Sequence, residues 1–318
     1  MRGRPLAALA AIFVTLLWSS SYVLNQYAFA EGIGPFTLAG LRYALAAAAM
    51  ITGWQVTRLR KRRESEASAG SEKPAAARNK KAITWKQYAL LGLTGFMMAQ
   101  GLQYAGQTMI TPTQTSMILS IGNTLFLIVL DALWLRELRS RWALAAIFIA
   151  MTGVVFYHYP WNAEQGSPLG VSLVLLSCLG YAVHTLLCRF LLTRTDASPS
   201  ELVRKPMLIG AIGMLLTGLW LEGMPELSGK LLLLLLWLGP VNGALASLLW
   251  AWSQRQLRAY ESSLINNLML LEVAALDIWM LGRSITPLQA AALGVVGIAI
   301  LATQAAPLWN RRRRQESA

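Results

Sequence analysis

Residues 103–135, QYAGQTMITPTQTSMILSIGNTLFLIVLDALWL, lie without a gap over residues 249–281, LWAWSQRQLRAYESSLINNLMLLEVAALDIWML, when the chain is shifted by 146 positions. In that register Tyr104 meets Trp250, Ala105 meets Ala251, Ser116 meets Ser262, Leu125 meets Leu271 and Asp131 meets Asp277. Each stretch closes on an apolar run long enough to span a bilayer, for which about 20 residues are needed. Two further matches extend the register. A shift of 159 places Tyr22 over Tyr181, with Leu16-Leu17 over Leu175-Leu176, and a shift of 144 places Gly153 over Gly297. The chain therefore reads as two halves with the same order of apolar segments.

By the same length criterion ten apolar spans are expected, at 6–28, 35–56, 88–109, 113–135, 142–159, 168–191, 205–222, 231–253, 260–281 and 287–305. Turn signals separate most of them: Gly32-Ile33-Gly34-Pro35, Thr111-Pro112, Gly166-Ser167-Pro168, Met224-Pro225 and Thr286-Pro287. The fifth span is short, and Pro206 falls near the start of the seventh. Five spans per half is an odd number, so the second half enters the membrane from the opposite side. The expected fold is all-α and integral to the membrane, with ten transmembrane helices in two inverted five-helix repeats, residues 1–160 and 161–310, and a basic tail at 311–318. Exchanging the conformations of two such halves turns an outward opening into an inward one, a frequent plan of secondary transporters.

Composition agrees. Of 318 residues 55% are hydrophobic and 14% charged, where a soluble domain carries roughly 25% charged residues. With the N-terminus inside, the 28 Lys and Arg all fall in the N-terminus, the loops after spans two, four, six and eight or the inner end of span six (Arg189), and the C-terminal tail, apart from Arg42, Lys230 and Arg283. That is the positive-inside distribution, so both termini are expected in the cytoplasm of a cell with a bacterial inner (plasma) membrane. It accounts for the net charge of +13 without nucleic acid. Arg58 to Arg63 and Arg311 to Arg314 read as topology determinants that also favour anionic lipid, at roughly 1 kcal/mol per basic residue. Residues 61–84, rich in Ser, Ala, Glu and Lys, are expected to form a disordered cytoplasmic loop. Arg2 and Arg4 precede an apolar run too long for a signal peptide, so it reads as a retained first helix. Cys178 and Cys188, ten residues apart on one run, offer no metal site and no disulfide framework. No cofactor is implied.

Several short segments resemble the drug/metabolite transporter superfamily, EamA branch, and the resemblance covers nearly the whole chain. They are Leu17-Trp18-Ser19-Ser20-Ser21, Pro35 through Arg42, Thr113-Gln114-Thr115-Ser116 and Leu135-Arg136-Glu137-Leu138 in the first half. Ser177-Cys178-Leu179-Gly180-Tyr181-Ala182 and Leu257-Arg258-Ala259-Tyr260-Glu261-Ser262 carry it in the second. The resemblance implies a pseudosymmetric bundle around a central cavity lined by spans one, three, four, six, eight and nine. The chain departs from the pattern at four positions. Thr124 and Leu270 stand where a proline is usual midway along spans four and nine. Arg283 replaces the glutamate expected after span nine, and Glu272 is an addition.

Charge inside a bilayer carries the sharpest functional signal, because Asp, Lys or Arg at a helix centre costs about 2.5–3.5 kcal/mol. Glu272 lies midway along the ninth span and is expected to bind a cationic group or carry a coupling proton; a hydrogen-bonded structural role is the alternative. Asp131 and Asp277 lie nearer the ends of their spans, where pairing or capping is expected. Glu272 and Asp277 are about 140° apart around the helix, so only one should face a cavity fully. Arg42, two turns into the second span, suits snorkelling to headgroups or a backbone carbonyl, with substrate binding as the alternative. His184 could relay a proton or simply be hydrogen-bonded. Trp18, Tyr22, Tyr104, Tyr181, Trp250 and Trp252 would give the cavity aromatic walls that hold amphipathic or cationic solutes. Asn25, Gln103, Gln107, Asn123, Asn266 and Asn267 add neutral polar groups that orient a solute or bridge helices.

The expected function is secondary transport of a small organic metabolite, with export and proton coupling taken from the resemblance. The candidates are amino acid-like, nucleobase-like and cationic amphipathic compounds. Alternatives are a membrane-embedded lipid-modifying enzyme and an oligomeric small-solute channel. No GxxxxGK[ST], HExxH or GxSxG occurs in the sequence. A monomer and a homodimer both fit, Gly294 and Gly297 being small enough for a helix contact.

Overall fold

The computed structural model describes residues 3–67, 82–134, 148–149, 152–153, 156, 167–195, 198–257 and 259–299. They form helices α1 (Gly3–Ala30), α2 (Pro35–Ala67), α3 (85–107), α4 (Pro112–Trp134), α5 (Pro168–Arg194), α6 (Pro199–Leu221), α7 (Gly229–Gln254), α8 (Ala259–Leu281) and α9 (Pro287–Ala299). Proline opens α2, α4, α5, α6 and α9, where its missing N–H costs no helical bond. Thr-x-x-Gln boxes start α3, α4 and α9. Thr84 N donates to Gln87 Oε1, Thr111 N to Gln114 Oε1 and Thr286 N to Gln289 Oε1, each at 2.9 Å. Gly32, Gly223 and Gly282, at φ of 84°, 80° and 64°, end α1, α6 and α8 in the left-handed conformation that glycine adopts without strain.

Two expectations need correction. The seventh span begins at Pro199, not near 205, because Ser198 caps it by accepting from Glu201 N. Pro206 is therefore inside the helix. Residues 61–67, expected in a disordered loop, continue α2. The rest of that loop up to 81, most of the fifth span, the tail 311–318 and the Asp131 side chain lie outside the described residues.

Among the described residues, six helices are long and apolar enough to cross a bilayer. Trp220 (83% exposed) and Trp279 (80%) project from the outer faces, a position suited to lipid. Helix α3 is interrupted by a π-helical stretch, Leu93–Gly101, and α8 carries Glu261, Glu272 and Asp277. Helix α7 has its own π stretch, Trp237–Leu245.

Packing follows one rule. Helix α1 packs on α7 and α8 as α5 packs on α3 and α4; α2 packs on α7 as α6 packs on α3; α2 meets α6 and α4 meets α8. Exchanging α1 to α4 for α5 to α8 reproduces the list. Gly153 extends it, since its Cβ position meets Val296 and Ala292 of α9. The matched helices also run in opposite directions. The turns at 31–34, 108–111, 222–228 and 282–286 share one end of the bundle. There Ser228 donates to Glu31, Ser167 N to Met109 O and Tyr27 Oη to Met280 O. Helices α1, α3, α6 and α8 end at this glycine-turn end, where α2, α4, α5, α7 and α9 begin. At the opposite, basic end Arg58 and Arg204 both lie over the Trp54 ring, 5.2 and 4.3 Å from its centroid.

Candidate functional site

Glu272 sits where α8 crosses the middle of α1. Its carboxyl is half-buried between two buried hydroxyls one helical turn apart, Thr15 Oγ1 at 3.0 Å from Oε1 and Ser19 Oγ at 2.8 Å from Oε2. Thr15 Oγ1 is also 2.8 Å from the carbonyl of Ile12. One hydroxyl hydrogen cannot serve both oxygens well. Ser19 donates to Oε2, and the Thr15 hydroxyl lies within donating reach of both Ile12 O and Glu272 Oε1.

Arg42 forms a second centre, on α2. It is 6% exposed, so it is buried in the bundle rather than snorkelling to the surface as its depth suggested. Its Nη1 donates to the Tyr104 hydroxyl, and its guanidinium lies 5.5 Å from the Tyr43 ring centroid and 5.9 Å from that of Tyr104. Nε is buried without a hydrogen-bond partner. Tyr22 of α1 neighbours Arg42, Gln103 and Tyr104. Tyr43 in turn donates to Gln100 Oε1 at 2.7 Å.

The π stretches position neutral polar groups between helices. Widening the helix by one residue per turn releases carbonyls from the regular ladder. In α7 the Asn242 carbonyl accepts from Trp18 Nε1 at 3.1 Å, and Asn242 Nδ2 donates back to Leu17 O at 2.9 Å. This reciprocal pair fixes α1 on α7 and holds Trp18 against Trp250, ring centroids 5.3 Å apart. Just before the α3 stretch the Leu91 carbonyl bonds His184 Nδ1 of α5 at 3.1 Å. His184 also lies 3.4 Å from Cys188 Sγ and edge-on to Phe96. Nearer the glycine-turn end Asn25 donates to Gln107 Oε1 at 2.8 Å and Gln26 to Gln107 O at 2.7 Å, tying α1 to α3.

Asp277 is a cap. Its Oδ2 accepts from Thr113 N at 3.1 Å and Thr113 Oγ1 at 2.6 Å at the start of α4, and Arg283 Nε is 3.3 Å from Oδ1. Glu222 repeats the device on α2, accepting from Phe36 N, Thr37 N and Thr37 Oγ1 at 2.8, 2.9 and 2.6 Å. The partial positive charge of a helix N-terminus favours both carboxylates. Tyr181 is 41% exposed, and Asn266 is also exposed. Asn123 is half-buried with Oδ1 unpartnered. Gly294 and Gly297 meet nothing within 4 Å at their Cβ positions.

Sequence reasoning missed Glu222, Thr15 and Asn242. The signal for Glu222 was the Pro-x-Thr helix start at Pro35, shared in part by Pro112-Thr113. Among the described residues no three His, Cys, Asp or Glu gather as a metal site.

Outward apolar faces and inward hydrogen-bonded polar pairs define a multi-pass helical membrane protein. A family profile for the EamA-like transporter family matches residues 5–159 and again 168–303. The chain belongs to that family. A curated relative, an uncharacterized transporter of Archaeoglobus fulgidus, is 28% identical over 135 residues, 42% of this chain. The chain spans about half the length of that relative, 47%. A crystal structure superimposes with a TM-score of 0.66 at 16% identity, covering 97% of this chain and 98% of the other, and shows the same fold.

Proposed function

We propose that the protein is a secondary active transporter that moves a small organic solute across a bacterial inner membrane by alternating access. The chain comprises ten spans in two inverted five-helix repeats, 1–160 and 161–310, with both termini at the basic, cytoplasmic face. One observation carries this reading: the extensive helix contacts map onto themselves when α1 to α4 are exchanged for α5 to α8, and the exchanged helices are antiparallel. The two π stretches obey the same exchange, since Leu93–Gly101 and Trp237–Leu245 coincide at a shift of 144. Two halves of like structure and opposite sense can trade conformations, and that trade moves an opening from one face to the other.

Glu272 is the proton carrier in this proposal, supported by the hydroxyl pair that suits its neutral form. Trp18, Tyr22, Tyr104, Trp250 and the amide set supply the walls and orienting groups. Asp277 acts as a cap on α4, and the direction assigned from the family resemblance is export. The test is saturable counterflow by the purified protein in liposomes, across a metabolite panel, with and without a pH gradient. Non-saturable flux without counterflow would mean a channel, and no flux with lipid turnover would mean an enzyme.

A further inference from the structure

We propose that Arg42 is the anion-binding subsite of the solute pathway and that the solute presents a carboxylate to it; this rests on the transporter reading above. A guanidinium has five N–H donors and a permanent charge. Here one hydroxyl, that of Tyr104, accepts from Nη1, and Nε is buried with no partner. The rings of Tyr43 and Tyr104 soften the charge but do not neutralise it. The other described carboxylates near the bundle interior are engaged elsewhere: Glu272 with Thr15 and Ser19, Asp277 with Thr113 and Arg283, and Glu222 with the start of α2. Among the described residues, then, no acid is paired with Arg42. A buried charge of this kind is retained against a cost of several kcal/mol, which a structural role met by a neutral side chain would not require.

Two further observations separate a binding role from a scaffold role. First, the fold does not need a cation here. Helices α2 and α6 both open on proline, and aligning Pro35 with Pro199 places Arg42 over Pro206. A requirement of the architecture would be met in both halves. Second, the guanidinium is surrounded by groups that can recognise an organic acid. Tyr104, Tyr43 and Tyr22 bring hydroxyls, the Gln103 amide lies beside Tyr22, and α1, α2 and α3 all contribute. A carboxylate matches this set better than a phosphate does. Its planar two-oxygen edge fits the guanidinium fork, and its single charge balances one arginine, whereas a dianion would carry net charge into the bilayer.

The experiment uses the purified full-length protein in detergent, with benzoate as probe and benzamide as its neutral match in shape. Benzoate should raise the unfolding temperature saturably at concentrations about 10- to 100-fold below benzamide, the discrimination a charge-assisted hydrogen bond supports. Arg42→Gln should bring the two probes level, and Arg42→Lys should restore part of the preference. If wild type shows no preference for benzoate, or if Arg42→Gln keeps it, the proposal is overturned. Should Arg42→Gln fail to fold, Tyr104→Phe replaces it: the benzoate curve must shift while the benzamide curve stays, and an unmoved benzoate curve overturns the proposal equally. Counterflow on the same preparations separates the two readings. Benzoate preference with no saturable flux sinks the transporter and keeps the subsite. Flux with unaltered anion preference in Arg42→Gln sinks the subsite and keeps the transporter.

Discussion

Thr15 has one hydroxyl hydrogen and two oxygen neighbours, Ile12 O and Glu272 Oε1, and that shortage decides how Glu272 can be tested. Glutamine reproduces the neutral acid, because its amide N–H donates to Thr15 and its carbonyl accepts from Ser19. Glu272→Gln should therefore keep its stability to within about 1 kcal/mol, one ordinary hydrogen bond. Uptake driven by a pH gradient should fall at least about tenfold, the value of one lost proton-linked step of 1.4 kcal/mol, while counterflow persists. Wild-type pH dependence in this variant would remove the proton role. Glu272 and Asp277 were legible in the sequence because ionisable groups stand out in apolar helices. Thr15 and Ser19 were not, since hydroxyls are common there and only the crossing of α1 with α8 shows which ones face an acid. Arg42 was visible as a position, but its burial was not, because long side chains reach either the surface or the core from the same helix depth.

Among the described residues six apolar spans were legible from length alone, and their boundaries moved by a few residues where caps and N1 prolines set them. The π stretches were not legible. Once almost every residue in a run is apolar, a pattern of 3.6 residues per turn cannot be told from a wider one. Leu93–Gly101 and Trp237–Leu245 share little beyond Gly95 matching Gly239, with Pro240 breaking one ladder bond. Yet both glycines are required by close approach. A Cβ at Gly95 would lie 2.2 Å from His184 Nδ1, and one at Gly239 would lie 2.6 Å from Leu45 Cβ. Alanine at either should destabilise by about 1–3 kcal/mol, the usual cost of overpacking, measured by denaturant titration in mixed micelles. Asn242→Leu should lose about 0.5–1.5 kcal/mol, the net worth of its hydrogen bond to Leu17 O, which the Ser20 hydroxyl also bonds. An unchanged unfolding midpoint in that variant would show that the α1–α7 pair contributes nothing.

At the scale of the whole molecule three acids at the glycine-turn end join one half to the other: Glu31 to Lys230 and Ser228, Glu222 to α2, and Asp277 to α4. Glu31 is held below its ordinary value of 4.5, first by the hydrogen bond from Lys230 and then by Ser228. Its folded value is depressed, so the tie contributes fully above the unfolded value and fades as pH falls through the folded one. The window lies below about pH 4.5. Lys230→Gln should flatten the decline in unfolding temperature across that window, and an equally steep decline would place the acid sensitivity elsewhere. The exchange rule in the packing reaches further than any single tie. The extensive contacts run between α1–α4 and α5–α8, so neither set covers its own inner faces. Half a gene should thus yield a polypeptide that is degraded when made alone. Two fragments severed between Trp134 and Ser167 and produced together should instead find each other in the bilayer and regain function, because the assembly information resides in the seam and not in the chain that crosses it.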